Sequence, residues 1–251
     1  MLPAPLPLPP EHLRVWVGPF ADADLFRDSG EETVRSIIAL CGLKPDARVL
    51  EIGCGCGRVA AALAPHLCDK GRYDGFDVAA PLIGWCREEL EPLLPQFHFR
   101  LADEVFADGH NPTGHTDAAT FAFPYANETF DLAILCSVLT HMLPDAIENY
   151  LRQTARILAP GGSAFMSVLL FDRAAEIAVQ NGTTIFDFRH AVGPCLTFDP
   201  QHPEQGIACD EAWFLQELER SGLRLGNVHR GNWRSVRSCA IAQDYIVAKK
   251  A

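Results

Sequence analysis

The 251-residue sequence has no apolar run that approaches the ~20 residues needed to span a bilayer, so no membrane helix is expected. It is short of positive charge: 21 basic residues face 32 acidic ones, a net charge of −11. Duplex nucleic acid is held by a basic face that displaces counterions, and this balance favours small molecules as partners instead. No C-x-x-C pair is present, and the nine cysteines make an odd, scattered set. A disulfide framework or a cysteine zinc site is therefore not expected, and a reducing cytoplasm suits the pattern. Met1–Pro10 is proline-rich and lacks basic residues ahead of its apolar part, which makes it a poor secretory signal. Residues 1–28 read as a flexible, polyproline-like lead-in that could act as a lid, and 29–251 as one domain.

Apolar runs alternate with helical patterns, the signature of an α/β fold with a parallel sheet and helices on both faces. Ser29 with Glu32 makes a capping-box start for a first helix that ends at Gly42. Strands are expected at Arg48–Ile52, Tyr73–Asp77, Phe97–Leu101, Phe130–Cys136, Ser163–Leu170, Arg224–Arg230 and Ala240–Ala248. Helices are expected near Val59–Leu67, Pro81–Leu90, Asp145–Leu158 and Glu211–Arg220. Two segments, 103–127 and 171–210, break the rhythm and read as inserted lids or binding loops.

The richest stretch is Val49-Leu50-Glu51-Ile52-Gly53-Cys54-Gly55-Cys56-Gly57-Arg58, followed by Asp77 at the end of the next apolar run. Glycine at every other position permits positive φ and lets a ligand approach bare backbone. Amides at the start of the following helix would face that ligand, and the Asp77 carboxylate can accept both hydroxyls of a ribose. An adenosine-containing cofactor is implied; an ordinary glycine turn is the alternative. A dinucleotide fingerprint needs its third glycine at position 58, where this chain has Arg58. Glu51 would repel a pyrophosphate and attract a cation.

E-x-G-x-G-x-G resembles motif I of the class I S-adenosylmethionine-dependent methyltransferases. Asp77 is similar to the acidic residue of motif II, and Leu101-Ala102-Asp103 to the segment that meets the adenine. Phe123-Pro124-Tyr125 through Phe130-Asp131 resembles the approach to motif IV. Arg156-Ile157-Leu158-Ala159-Pro160-Gly161-Gly162 resembles the turn into strand five. The resemblance implies a Rossmann-like seven-stranded sheet of order 3-2-1-4-5-7-6 with strand seven antiparallel. It implies S-adenosylmethionine as cofactor and S-adenosylhomocysteine as product. Gly53, Cys54 and Gly55 would lie near the methionine portion, with Glu51 toward its ammonium. Asp77 would hold the ribose, Val78 and Ala102 would sandwich the adenine, and Asp103 would accept its amino group. Cys136 and Ser137 would flank the sulfonium.

Histidine titrates near neutrality, so His141, just after Ser137, is the candidate general base. Tyr125, His190 and Trp233 are candidate acceptor contacts. Trp16, Phe20 and Phe26 are candidates to close over the cofactor. An Asn/Asp-Pro-Pro-aromatic motif is absent after Leu135, which disfavours amide and adenine-amino acceptors, and no oxygen cluster there suggests a metal. The expected reaction is metal-independent O-methylation of a small-molecule or sugar-like acceptor, as the tail around Trp233 resembles a bacterial subgroup tied to surface sugars and secondary metabolism. A homodimer is one candidate assembly, and the sequence does not fix the oligomeric state. The rivals are a non-catalytic cofactor-binding protein and a nicotinamide-dependent oxidoreductase.

Overall fold

The apolar runs of the sequence become strands β1 (Arg48–Ile52), β2 (Arg72–Asp77), β3 (Phe97–Leu101), β4 (Phe130–Leu135), β5 (Leu158–Val168), β10 (Leu223–His229) and β11 (Asp244–Lys250). These make one seven-stranded sheet in the order β3-β2-β1-β4-β5-β11-β10. β2 runs parallel to β1 and β3, while β11 is antiparallel to both β5 and β10. The expected order and the single reversed strand are therefore both present. The computed structural model describes residues 5–106, 111–235 and 243–251, so 240–242 of the expected last strand fall outside the described residues. The backbone forms two units: the chain up to His115 with Phe130–Ile134, and Thr116–Thr129 with Leu135–Ala251.

In the first unit the amino-terminal segment is not a free lead-in. Helix α1 (Glu11–Arg14) and a 3-10 turn at Val15–Val17 precede α2 (Ala23–Cys41). The α2 helix starts six residues ahead of Ser29, because the Asp22 side chain caps it by accepting from Leu25 N at 2.7 Å. The boundary placed at residue 28 thus falls inside a helix. Buried Arg14 donates to three backbone carbonyls, those of Pro9, Phe20 and Ala21, and so ties the two ends of the strap together. Leu13, Phe26, Cys56, Ala79 and Leu82 form a core cluster against which Leu8, Val17 and Phe20 pack. Residues 1–4 lie outside the described part.

α2 packs on α3 (Arg58–Leu63), and Gly30 is what lets them approach. A Cβ there would lie 2.6 Å from the Arg58 carbonyl oxygen, a backbone atom that cannot swing aside. Gly30→Ala is expected to destabilise the protein by about 1–3 kcal/mol, read as a fall in thermal midpoint, despite alanine's better helix propensity. An unchanged midpoint would show that the helices separate freely. Beyond β2, α4 (Ala80–Trp85) continues into a π-helical turn at Cys86–Leu90.

In the second unit, α5 (Pro144–Ile157) leads into β5, which begins five residues before the expected Ser163 and carries Gly161 at φ 77°. The 171–210 insertion is not an irregular lid. β6 (Leu170–Phe171), α6 (Arg173–Gln180), β7 (His190–Val192), β8 (Cys195–Thr197) and β9 (Ile207–Asp210) build a second sheet in the order β6-β9-β8-β7, and α7 (Glu211–Arg220) follows. Its core is aromatic: Phe186 stacks on Phe198 at 4.8 Å and Phe188 meets Trp233 edge-on at 5.8 Å. Strands of two to four residues are too short to print an alternating pattern, which is why the sequence reads as a loop. In the other insertion, Asn149 on α5 donates to the carbonyls of Ala118 and Phe121, which fixes that stretch to the helix. Residues 107–110 of that insertion are outside the described part.

Candidate functional site

β1 ends in the glycine loop, where Gly53, Gly55 and Gly57 adopt φ of 70°, 54° and 76°. These left-handed conformations explain why glycine recurs at every other position. The loop amides are engaged within the protein. Gly53 N and Cys54 N both donate to the Phe76 carbonyl, at 2.8 and 3.0 Å, and Gly57 N donates to Cys54 O. Gly55 N donates to Asp77 Oδ2 at 2.8 Å, and Asp77 Oδ1 accepts from Ala79 N at 2.9 Å. A loop whose amides are already engaged has little to offer a pyrophosphate.

The charged groups point the same way. Glu51 is 2 % exposed, and burial pushes its carboxyl up to about 8, against the opposing pull of a hydrogen bond from Tyr73 Oη at 2.5 Å and the positive Arg58. Asp77 adds negative potential to the same place. Each Asp77 oxygen accepts a backbone N–H, Gly55 N on Oδ2 and Ala79 N on Oδ1, and a carboxylate oxygen can accept more than one hydrogen bond. Among the described residues, no donor other than Tyr73 reaches the Glu51 carboxyl. Two carboxyl groups beside a phosphate-averse loop fit a phosphate-free, cationic nucleoside.

The other expected residues of the first unit are placed as follows. Ala102 is buried and its N–H donates to Asp77 O at 2.9 Å; Val78 is half-buried. Asp103 is exposed and held by His115, whose backbone N–H and ring Nδ1 both reach Oδ1; the His115 hydrogen bond keeps its carboxyl below the ordinary value. Cys54 is buried, with its thiol raised well above the usual range by burial, so only its backbone is available to a ligand. Val17 lies over the loop: a Cβ on Gly55 would come within 2.6 Å of Val17 Cγ1. Of the three aromatics expected to close over the site, Phe26 is core, Phe20 packs edge-on against it at 5.8 Å, and Trp16 is exposed.

Other expected residues belong to the second unit. Ser137 is one of two non-glycine residues with positive φ among those described, at 58°, a strained conformation of the kind that gathers at functional sites. Its N–H donates to Ser167 Oγ at 2.6 Å, which holds the turn in place. Cys136 is half-buried. His141 ends a 3-10 turn (Leu139–His141), and its Nδ1 lies 2.9 Å from the Glu204 carbonyl oxygen. A carbonyl can only accept, so Nδ1 carries the proton and the basic lone pair sits on Nε2.

The three expected acceptor contacts lie in the second unit, each in a different setting. His190 is exposed on β7. Tyr125 is half-buried, and its carbonyl is bound by Arg156 Nη1 at 2.7 Å. Trp233 is 2 % exposed, with its indole N–H on Asp244 Oδ2 at 2.9 Å; it is a core residue, and its packing leaves no face for an acceptor. Among the described residues, no group of three or more His, Cys, Asp or Glu is placed to hold a metal ion.

Two motif residues have structural tasks. Arg156 binds the carbonyls of Phe123 and Tyr125, fixing the stretch before β4, and Asp131 takes the Arg48 backbone and guanidinium at the start of β1. Tyr73 and Gly75 were missed in the sequence, where they read only as strand positions. The available signal was a tyrosine two residues from a glycine on the strand facing Glu51.

Residues 50–164 match a family described as a methyltransferase domain. The chain is 28 % identical over 153 residues to Methyltransferase GfsG of Streptomyces halstedii, an alignment covering 60 % of this chain and 48 % of that protein. It is 32 % identical over 129 residues to Protein-L-isoaspartate O-methyltransferase of Methylorubrum populi, covering 51 % of each. The chain spans about half the length of the curated relatives it matches. Among solved structures, it resembles 1,6-didemethyltoxoflavin-N1-methyltransferase of Burkholderia thailandensis, crystallised with S-adenosylhomocysteine, at TM-score 0.54 and 16 % identity over 94 % of this chain and 81 % of that one. The match over residues 50–164 and the sheet order are those of a methyltransferase domain, and the motifs resemble those of the class I S-adenosylmethionine-dependent family.

Proposed function

We propose that this protein transfers a methyl group from S-adenosylmethionine to an oxygen of a small-molecule or sugar-like acceptor, without a metal ion. The observation that carries the reading is the loop after β1, with its amides engaged internally and two carboxyl groups beside it. The small-molecule N-methyltransferase among its structural neighbours supports an acceptor of that size. The cofactor supplies an activated methyl group, so the protein's work is alignment of the acceptor and exclusion of water.

Asp77 orients the ribose through its two oxygens, and Glu51 receives the ammonium. His141 takes the acceptor's hydroxyl proton at Nε2, with Nδ1–H held on Glu204 O so that the ring keeps one tautomer and one orientation. His141→Ala is expected to lower turnover by about 10²–10⁴-fold and to leave S-adenosylhomocysteine affinity within a factor of about two. Full turnover in that variant would remove the base role.

The test of the reading is S-adenosylhomocysteine release across a panel of hydroxylated and amino acceptors, with an isoaspartyl peptide included. Release on hydroxylated small molecules alone supports it. Release on the peptide alone moves the acceptor to protein. Tight cofactor binding without release on any acceptor favours a non-catalytic binding protein.

A further inference from the structure

The pair Tyr73–Glu51 sits under the glycine loop and is not explained by packing alone. On β2, Tyr73 and Gly75 are two residues apart and so share a face of the sheet. Gly75 is the register partner of Glu51 on β1. With no side chain at 75, the Tyr73 ring leans along the strand and its hydroxyl reaches Glu51 Oε2 at 2.5 Å. A Cβ on Gly75 would lie 2.8 Å from the Tyr73 oxygen and 2.9 Å from Cys54 Cβ, so the gap is needed for the reach. The ring is held from β3, stacked on Phe97 at 4.8 Å and tilted against Phe99 at 5.6 Å. Tyr73 is fully buried, Glu51 is 2 % exposed, and one Glu51 oxygen remains for a ligand.

We propose that Tyr73, delivered through the gap at Gly75, is a positioning residue that holds Glu51 as the carboxylate receiving the cofactor's ammonium, and that cofactor capture is thereby coupled to release of a proton. This rests on the cofactor reading above. The groups that act on Glu51 are Tyr73 and Asp77 on β2, Arg58 on α3, Cys54 in the loop and Cys86 on the π-helical turn. Burial raises the Tyr73 phenol and both thiols, so these three stay protonated through the neutral range and Tyr73 remains a donor. Glu51, raised to about 8, holds its proton in the empty site at neutral pH. An ammonium binds the ionised form, so binding expels that proton and affinity rises with pH until Glu51 is ionised without help. The Tyr73 hydrogen bond lowers the Glu51 value. Removing it moves the midpoint upward.

The test is calorimetric titration of the full chain with S-adenosylhomocysteine between about pH 6 and 8.5, in buffers of different ionisation enthalpy. The wild type is expected to release close to one proton per ligand near neutrality, with affinity rising about tenfold per pH unit below the midpoint. Tyr73→Phe keeps the ring and is expected to bind about tenfold more weakly near pH 7, with its midpoint raised by about one unit. That deficit should shrink to about threefold by pH 8.5. Gly75→Ala, which displaces the hydroxyl, should shift the profile the same way, and Glu51→Gln should release no proton. A wild-type affinity that does not change with pH would overturn the proposal. So would a Tyr73→Phe deficit of the same size at every pH, the mark of a purely structural role. A wild type that binds no S-adenosylhomocysteine at any pH would instead end the cofactor reading itself.

Discussion

Asp77→Ala is expected to weaken S-adenosylhomocysteine binding by on the order of a hundredfold, the combined value of about two hydrogen bonds to a charged group. The loss has two sources. The ribose loses both acceptors, and the glycine loop loses its brace, since Asp77 holds Gly55 N on one oxygen and Ala79 N on the other. Asp77→Asn keeps one acceptor oxygen and is expected to fall between the two. Calorimetry reads all three proteins directly, with a thermal melt to show that the fold is retained. An affinity within about twofold of wild type in Asp77→Ala would mean that the ligand is anchored elsewhere.

The second large effect concerns stability. Asp244 is fully buried and accepts from Leu170 N, Gly231 N, Trp233 Nε1 and both terminal nitrogens of Arg234. Arg234 lies over the Trp233 ring at 4.5 Å, donates to the Leu170 carbonyl and reaches Asp172, the cap of α6. Arg230 continues the network to Asp172 and Glu211. One carboxylate thus fixes the start of β11, the edge of the second sheet and its aromatic core. Asp244→Ala takes the buried carboxylate from the Arg234 cation, which keeps only the Leu170 carbonyl and Asp172, and removes the acceptor of the Leu170, Gly231 and Trp233 N–H groups. A cost of about 3–5 kcal/mol is expected, a large share of typical domain stability. For a chain of this size that corresponds to a thermal midpoint lower by on the order of 10 °C. A shift of one or two degrees would show that water replaces the carboxylate without cost.

Much of this fold can be read from the sequence because its signals are local. Glu211–Arg220 is a helix with the expected ends, since Asp210 caps it from just outside its first turn and Gly222 follows its last. The strands beside the glycine loop read as continuous apolar runs because both their faces are covered. What escaped depends on partners distant in sequence. The amino-terminal strap reads as a proline-rich tail until Arg14 finds three carbonyls and Val17 settles on Gly55. Trp233 resembles an exposed recognition aromatic until Asp244, eleven residues later, claims its N–H. The glycine loop is legible in the sequence, but that its amides turn inward to Phe76 and Asp77 shows only in the packed strands. Tyr73 passed as an ordinary strand residue because its role lies in the empty place at Gly75.

The most direct measurement is a crystal structure of this chain grown with S-adenosylhomocysteine and, separately, with a nicotinamide dinucleotide. The expected result is the thioether nucleoside at the loop after β1, its ribose hydroxyls on Asp77 and its ammonium facing Glu51, with no dinucleotide in the second crystal. A nucleoside bound away from Asp77, or a dinucleotide seated on the glycine loop, would contradict the account.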